Sequence, residues 1–340
     1  MSSKKVSMKD IANELNVSVA LVSYVLNGKK TDKINNQTAY KIKELAAKMN
    51  YSPNQIAKSL KTNRTNTLGL IVADISNLFY SSIAKYIEGE ANKFGYHVIY
   101  GSAYENPDRF NAILDLLVSR QVDGYILAIP ENAESCIDKL NKLDNPFVII
   151  DRKFSEFPDA PSVLLDNFDA SRRIVEHLVE NSFSRLGLVT IHRNLKHLQE
   201  RKAGFIETCQ KLLHNPPFIY ELDEEHLEEE IQNVIHKSLF EDKVDNLCFF
   251  TNKVAMAGLS LIAGLQIRVP EELGIVCFDE AEAYKLFRTP ITYLKQPLQE
   301  MSNMAVDYVL RNIGKDIAHP EEHLDEFKGQ LIINSSTQRV

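Results

Sequence analysis

A chain of 340 residues is too long for one compact core, and its 44% hydrophobic content suits a globular protein of two or three domains. No apolar run approaches the roughly 20 residues of a membrane helix, and no signal-like apolar segment with a cleavage site stands at the start, so no membrane partner is expected and the cytoplasm is the expected compartment. The net charge of −7, taken whole, argues against nucleic acid, but residues 1–66 hold 12 Lys or Arg against 4 Asp or Glu, a balance of +8 that leaves −15 for the remainder.

The segment Ser7–Asn27 reads as two short helices joined by a tight turn. Ser7 followed by Asp10 has the spacing of a capping box. Ile11, Ala12 and Leu15 fall at helical spacing and give the first helix one buried stripe. Asn16 marks the turn, and Ser18 can cap a second helix whose inner face is Leu21, Val22 and Val25. Val19, Ala20, Ser23 and Tyr24 then lie at its start and outer side, where a recognition helix presents side chains to base edges and phosphates. An ordinary helical hairpin would share the apolar spacing, but the surrounding positive charge favours a DNA-binding reading. Such binding should weaken steeply with salt, because each neutralised phosphate releases counterions.

A third amphipathic helix is expected from an Asn35 cap through Ile42, Leu45, Ala46 and Met49. It would close a head around Ile11, Leu15, Val22, Val25 and Leu45, small enough that its independent stability is marginal. The next stretch, Tyr51–Arg64, has Pro53 at a helix start and room for two turns over Gln55–Lys61. So short a helix needs a partner, and its basic residues make DNA a suitable one; a flexible linker is the alternative.

From Thr67 the texture changes to apolar strands alternating with amphipathic helices. Strands are expected at Leu68–Ala73, His97–Gly101, Gly124–Ile129, Phe147–Ile150, Leu186–Ile191, Asn246–Phe250 and Gly274–Phe278. Helices are expected at Phe79–Phe94, Arg109–Arg120, Ala133–Leu143, Ser171–Glu180, Arg201–Leu213, Leu227–Leu239 and Val254–Ala263. That alternation implies an α/β body of doubly wound parallel sheets in two lobes, with a break near Val163–Phe168. Cys136, Cys209, Cys248 and Cys277 are scattered without metal-ligand spacing and read as reduced and mostly buried.

In open α/β sheets, ligands bind beyond the carboxyl ends of the strands. There the chain places Asp74–Tyr80 with its two aromatics, Asp151-Arg152, Thr251-Asn252 and Asp279. Acids, an amide, a guanidinium and aromatic rings suit a small polyhydroxylated ligand, since forked polar groups bind hydroxyls while a ring covers an apolar face. Enzyme signatures are poor. Gly-x-Gly-x-x-Gly, the Walker pattern, Gly-x-Ser-x-Gly and His-Glu-x-x-His are all absent. His192, His197 and His214 are too dispersed for a metal and suit surface or packing roles, and Glu221–Glu230 reads as a solvated helix face with its approach. No catalysis, cofactor or metal is expected.

With head, connector and body in place, the chain resembles the LacI/GalR family of bacterial transcription regulators over nearly its whole length. The specific matches are Lys9-Asp-Ile-Ala12, Val17-Ser18, Leu21-Val-Ser23, Val25-Leu-Asn27 and Asn50-Tyr-Ser-Pro-Asn54. Ala57-Lys-Ser-Leu60, Asp74-Ile-Ser-Asn77, Arg201 with Ala203-Gly-Phe205, Phe278-Asp279 and Gln296-Pro297 extend them. The resemblance implies an all-α helix-turn-helix head (1–50), a hinge helix or linker (51–64) and an effector-binding, dimerising core (65–340) like the periplasmic sugar-binding proteins. Its first lobe would take about 65–164 and 295–325, its second about 165–294 and 326–340.

By the same likeness, Val19, Ala20 and Tyr24 occupy base-reading positions, while Ser18, Ser23 and Asn27 suit phosphate contacts and helix termination. Leu60 matches a residue wedged into a central minor-groove step, with Ala57 and Lys58 as groove-facing neighbours. The matched effector positions are Phe79, Tyr80, Asp151, Arg152, Arg201, Asn252 and Asp279. Lys253 departs from the pattern, which has an acid there, and the loop Gly28–Lys33 looks slightly longer than usual. No leucine-heptad tail follows residue 325, so a homodimer on a pseudo-palindromic duplex operator is expected. The implied function is a repressor of carbohydrate-use genes controlled by a sugar-like effector. The same regulator class with a nucleobase or protein co-regulator, or an activator, is the alternative. A sugar-binding module without DNA function is the remote one.

Overall fold

The computed structural model describes residues 6–27, 34–52, 64–315, 324 and 326–339. The chain divides into two units, Met1–Thr65 and Asn66–Val340. The expected hinge positions Pro53, Ala57, Lys58 and Leu60, with the rest of Gln55–Lys61, lie outside the described residues, as does the loop 28–33.

The first unit holds three helices: α1 (Met8–Glu14), α2 (Val19–Leu26) and α3 (Asn36–Lys48). Each begins where a short polar side chain can take an otherwise unpaired backbone N–H. Ser7 Oγ accepts from Asp10 N at 3.3 Å while Asp10 Oδ2 accepts from Ser7 N at 2.8 Å, the reciprocal pair of a capping box. Ser18 Oγ accepts from Leu21 N at 3.2 Å, and Asn35 Oδ1 from Gln37 N at 2.8 Å. Asn16 makes the turn with φ +52°, a conformation Asn tolerates better than most residues. The core is Ile11, Ala12, Val22, Val25, Ile42 and Ala46. Leu15, Leu21 and Leu45, expected at its centre, sit partly buried on its margin, because the small Ala12 and Ala46 take the interior positions.

The second unit opens with β1 (Thr67–Val72), α4 (Leu78–Lys93), β2 (His97–Ser102), α5 (Pro107–Ser119), β3 (Gly124–Leu127), α6 (Cys136–Leu140), β4 (Phe147–Ile150) and β5 (Ser162–Val163). These strands form a parallel sheet in the order β2-β1-β3-β4-β5. The chain continues through α7 (Asn167–Glu180), β6 (Leu186–Ile191), α8 (Lys196–Leu213), β7 (Phe218–Leu222), α9 (Leu227–His236), β8 (Asn246–Phe249), α10 (Asn252–Gly264), β9 (Gly274–Phe278) and β10 (Thr292–Lys295). Then come α11 (Leu298–Asn312) and β11 (Gln330–Ile332). The second sheet runs β11-β10-β9-β8-β6-β7, parallel except where β11 pairs antiparallel with β10. Dropping β11, the two sheets have the same winding, with β2-β1-β3-β4-β5 corresponding to β7-β6-β8-β9-β10.

Alternate strand residues feed opposite faces of each sheet. Leu68, Leu70, Ile126 and Val148 pack with α4 and α11, whereas Ile71, Tyr125, Leu127 and Ile149 pack with α5. In the second sheet Val189, Leu247, Phe249 and Ile275 face α9 and α10, and Leu188, Cys248 and Val276 face α7 and α8. Both faces being covered, the strands read as continuous apolar runs, which is why they were legible. All four cysteines are free and buried. Among the described residues no helix is long and apolar enough to cross a membrane, and no group of His, Cys, Asp or Glu could hold a metal ion.

The chain crosses between the lobes three times, at 164–166, at Gln296-Pro297 and near Phe327. Two crossings are joined: Asp166 N donates to Phe327 O and Phe327 N to Leu164 O, both at 2.8 Å. Several elements differ from expectation. α11, β5, β7, β10 and β11 fall outside the expected list; β5 and β11 are too short to show a pattern. The expected helix Ala133–Leu143 shrinks to α6, and β3 stops at Leu127, shortly before Pro130, which has no N–H to extend a ladder.

Candidate functional site

The carboxyl ends of both sheets face one cleft of about 250 Å³. All seven side chains expected there line it: Phe79, Tyr80, Asp151, Arg152, Arg201, Asn252 and Asp279. Phe79 and Tyr80 come from the first turn of α4, whose Asn77 cap accepts from Phe79 N at 3.0 Å. Asp151 and Asp279 end β4 and β9, which are counterparts in the two sheets. Arg201 projects from α8, which lies close against the start of α7. A Cβ on Gly204 would stand 2.5 Å from the Phe168 carbonyl oxygen, so only glycine permits that approach.

Two polar clusters hold the cleft. On the first lobe, Tyr80 OH donates to Asp151 Oδ2 at 2.8 Å and accepts from Arg152 Nη2 at 3.0 Å. Arg152 also forks onto Glu105 at 2.5 and 3.0 Å and donates to Ile129 O at 2.9 Å. Burial pushes the Tyr80 hydroxyl well above its ordinary pKa, against the pull of Arg152. It is a donor that does not ionise. Burial works against the Arg152 charge, yet the Glu105 carboxylate, with Asp151 beside it, outweighs it and holds its pKa above the ordinary value.

On the second lobe, Arg201 Nε donates to Asn167 Oδ1 at 2.8 Å and Nη1 to Phe250 O at 3.0 Å. Its guanidinium lies 3.7 Å from the Phe278 ring centroid, a cation–π arrangement. Gln296 Nε2 donates to Asp279 Oδ1 at 2.6 Å. Burial raises the Asp279 pKa, with Arg201 opposing the rise. Across the mouth, Glu224 accepts from Arg193 at 2.7 and 2.9 Å and from Lys253 at 2.8 Å. Burial disfavours the Glu224 carboxylate, but Lys253 and Arg193 outweigh it and lower its pKa. Arg193 reaches Glu105 of the other lobe at 4.0 Å, and Asn194 N donates to Glu131 Oε1 at 3.2 Å.

Beyond the expected ligands and the strand-end residues already named for the site, five further polar side chains line the cleft: Glu105, Arg193, His197, Glu224 and Gln296. The strand-end rule reaches Glu105 and Arg193, which follow β2 and β6, and Gln296, which follows β10. Glu224 was hidden in the acidic run Glu221–Glu230, where a solvated face was expected; with its partners it instead closes one side of the cleft. His197 was set among packing or surface histidines, and nothing in its spacing marks it.

On the head, Val19 is 46% exposed and Ser18, Ala20 and Asn27 are exposed, while Ser23 and Tyr24 are partly buried. Val22 and Val25 fix the opposite face in the core. Asn27 Nδ2 donates to Ser23 O at 2.7 Å and lies 3.3 Å from Ser23 Oγ, so this pair closes the end of α2. The remaining outward groups are short, which lets the helix approach a groove floor closely.

Residues 7–54 match the family model for bacterial regulatory proteins of the lacI family, and residues 175–337 match the periplasmic binding protein-like domain. The HTH-type transcriptional repressor PurR of Aliivibrio salmonicida is 29% identical over 98% of this chain and 99% of its own length. The lac repressor dimer bound to operator and the anti-inducer ONPF superposes with a TM-score of 0.85 at 20% identity, covering 99% of this chain and 100% of that one. A LacI-family transcriptional regulator from Silicibacter pomeroyi gives 0.76 at 19% identity, covering 98% and 100%.

Proposed function

The chain belongs to the lacI family of bacterial regulatory proteins and is a DNA-binding transcription regulator, and from that premise we propose that it represses carbohydrate-use genes under the control of an uncharged, sugar-like effector in the interlobe cleft. The observation that carries the effector class is charge balance. Arg152 is taken by Glu105, and Arg193 and Lys253 are both taken by Glu224. Burial lowers the Arg201 pKa, with Asp279 and Asp151 opposing the fall. Among the described lining residues four cations stand against five acids, so there is no excess positive charge for a phosphate or carboxylate, and an anion would have to displace Glu105 or Glu224. Hydroxyls fit instead, with acids and guanidinium bonding them and Phe79 covering an apolar ring face.

A nucleobase is the second reading, favoured by the edge-type donors and acceptors of His197, Asn252 and Gln296 around the same cavity. In either case two copies would place two heads on half-sites of a pseudo-palindromic operator in the cytoplasm. Ser18, Val19, Ala20, Ser23, Tyr24 and Asn27 would meet the groove and its phosphates, and Ala57, Lys58 and Leu60 the central minor groove. The effector would act by unequal affinity for two lobe arrangements.

The test is a thermal-shift screen of full-length protein against monosaccharides, disaccharides, sugar phosphates and nucleobases. Operator binding with each hit then follows, on a duplex selected from genomic fragments. A neutral sugar should give the largest shift and change operator affinity. A sugar phosphate binding more tightly than its parent sugar would sink the charge-balance argument.

A further inference from the structure

His197 and Gln296 belong to a small group of cleft residues that keep a buried polar atom unpaired among the described residues, Arg152 with Nε and Asn252 with Nδ2 being the others. Several other polar side chains there are held by the protein: Tyr80 has two partners, Arg152 has three through its terminal nitrogens, and Arg201 has Asn167 and the Phe250 carbonyl. His197 Nδ1 and Gln296 Oε1 are buried with no hydrogen-bond partner among the described residues. Both residues line the cavity. His197 lies in the first turn of α8, four residues before Arg201 and so on the same helix face. A buried polar atom without a partner lowers stability, and it persists in a native fold when something outside the fold satisfies it.

We propose that His197 is a specificity-determining residue of the effector site, which hydrogen-bonds an uncharged polar group of the ligand and leaves the empty protein less stable than an apolar side chain would. The proposal rests on the cleft being an effector site. Burial, reinforced by Arg201 and Arg152, keeps the imidazole far below its ordinary pKa. A neutral ring has one N–H donor and one bare nitrogen acceptor, whichever tautomer it takes. It therefore pairs with a group that can donate or accept, such as a sugar hydroxyl or a ring edge of a nucleobase. It gains nothing from a charged ligand beside two guanidinium groups. The acceptor Gln296 Oε1 adds a demand for one ligand donor.

The experiment uses the full-length protein as wild type, His197→Leu and His197→Gln. Thermal unfolding is measured first, without ligand. The Leu variant should melt about 2 °C above wild type, because it removes an unsatisfied polar atom at similar volume. A Leu variant melting at or below wild type would overturn the proposal, since His197 would then be held by the fold itself. If Leu does not fold, His197→Met supplies the same apolar comparison, and a Met variant melting at or below wild type is equally fatal.

Calorimetric titration with D-ribose, maltose, hypoxanthine and guanine follows. The Leu variant should lose about tenfold in affinity for the probe that wild type binds, the cost of one hydrogen bond, with Gln recovering part of it. Unchanged affinity in Leu overturns the assignment. Sugar and nucleobase arms separate the two ligand sources. Failure of all four probes on wild type would count against the choice of effector class, while the melting temperatures still decide the role of His197.

Discussion

Asp151 and Asp279 leave β4 and β9 in the same left-handed backbone conformation, with φ of +73° and +69°, at equivalent places in the two lobes. Each carboxylate is thereby turned back over its strand end into the common cleft. Only residues that tolerate positive φ can do this without strain, and Asp is one of them. The substitution Asp279→Asn keeps both the backbone tolerance and an acceptor for Gln296, so its stability should lie within about 0.5 kcal/mol of wild type. Asp279→Val should cost about 2–4 kcal/mol in urea unfolding, combining a left-handed β-branched residue with a lost hydrogen bond.

Gly204→Ala tests the close approach of α8 to Phe168. The added methyl meets a carbonyl oxygen at 2.5 Å, which no rotamer change relieves. Overpacking of this kind should destabilise by about 1–3 kcal/mol. Because Arg201 lies one turn away and bonds Asn167, effector affinity should fall with stability, which titration against any hit of the thermal screen would read.

Tyr80→Phe deletes the hydroxyl shared by Asp151 and Arg152. Both partners are buried and charged, so the loss should be about 1–3 kcal/mol in denaturant unfolding. An unchanged midpoint would mean that water replaces the hydroxyl at no cost.

Acid should weaken the core through His177 and His197. Burial lowers both pKa values below the ordinary 6.5, so the folded state binds fewer protons than the unfolded chain. Their contribution is complete above about pH 7.5 and is lost as pH falls through the unfolded value of about 6.5 toward the depressed folded values. Unfolding free energy should therefore be lower at pH 5.5 than at pH 7.5. His177→Gln and His197→Gln should each reduce that difference; parallel pH profiles in wild type and both variants would contradict the assignment.

Leu60→Ala should weaken binding to a selected operator more than binding to random duplex, because a wedge acts only where the central step is kinked. Equal losses on both duplexes would refute the wedge. Raising salt should weaken both, with a log–log slope of about −0.9 for each phosphate contact.

The helix caps were legible because Ser7, Asp10, Ser18 and Asn35 act within three residues of themselves. The buried parallel strands were legible because both faces are covered. Asp279 could be placed by the strand-end rule and by its family motif, Arg201 by its family motif alone. The pairing of Glu105 with Arg152 and the cross-lobe approach of Arg193 were not legible, since the first depends on how strand ends converge within one sheet and the second on which ends meet across the cleft. His197 escaped for a different reason. Its significance is a missing partner, and a sequence shows which atoms are present, not which of them go unpaired. The elements α11 and β11 escaped because the chain returns to each lobe after leaving it, and local periodicity carries no record of such a return.

The bond pair between 164–166 and Phe327 has a mechanical meaning. Two adjoining peptide segments locked together resist sliding along their own length far better than rotation about it. The lobes are thus coupled like the leaves of a door on one pin, with Gln296-Pro297 as a third fastening. On this linkage, an occupant that favours one arrangement of the lobes would be read as a change of angle between them more than as a sideways displacement.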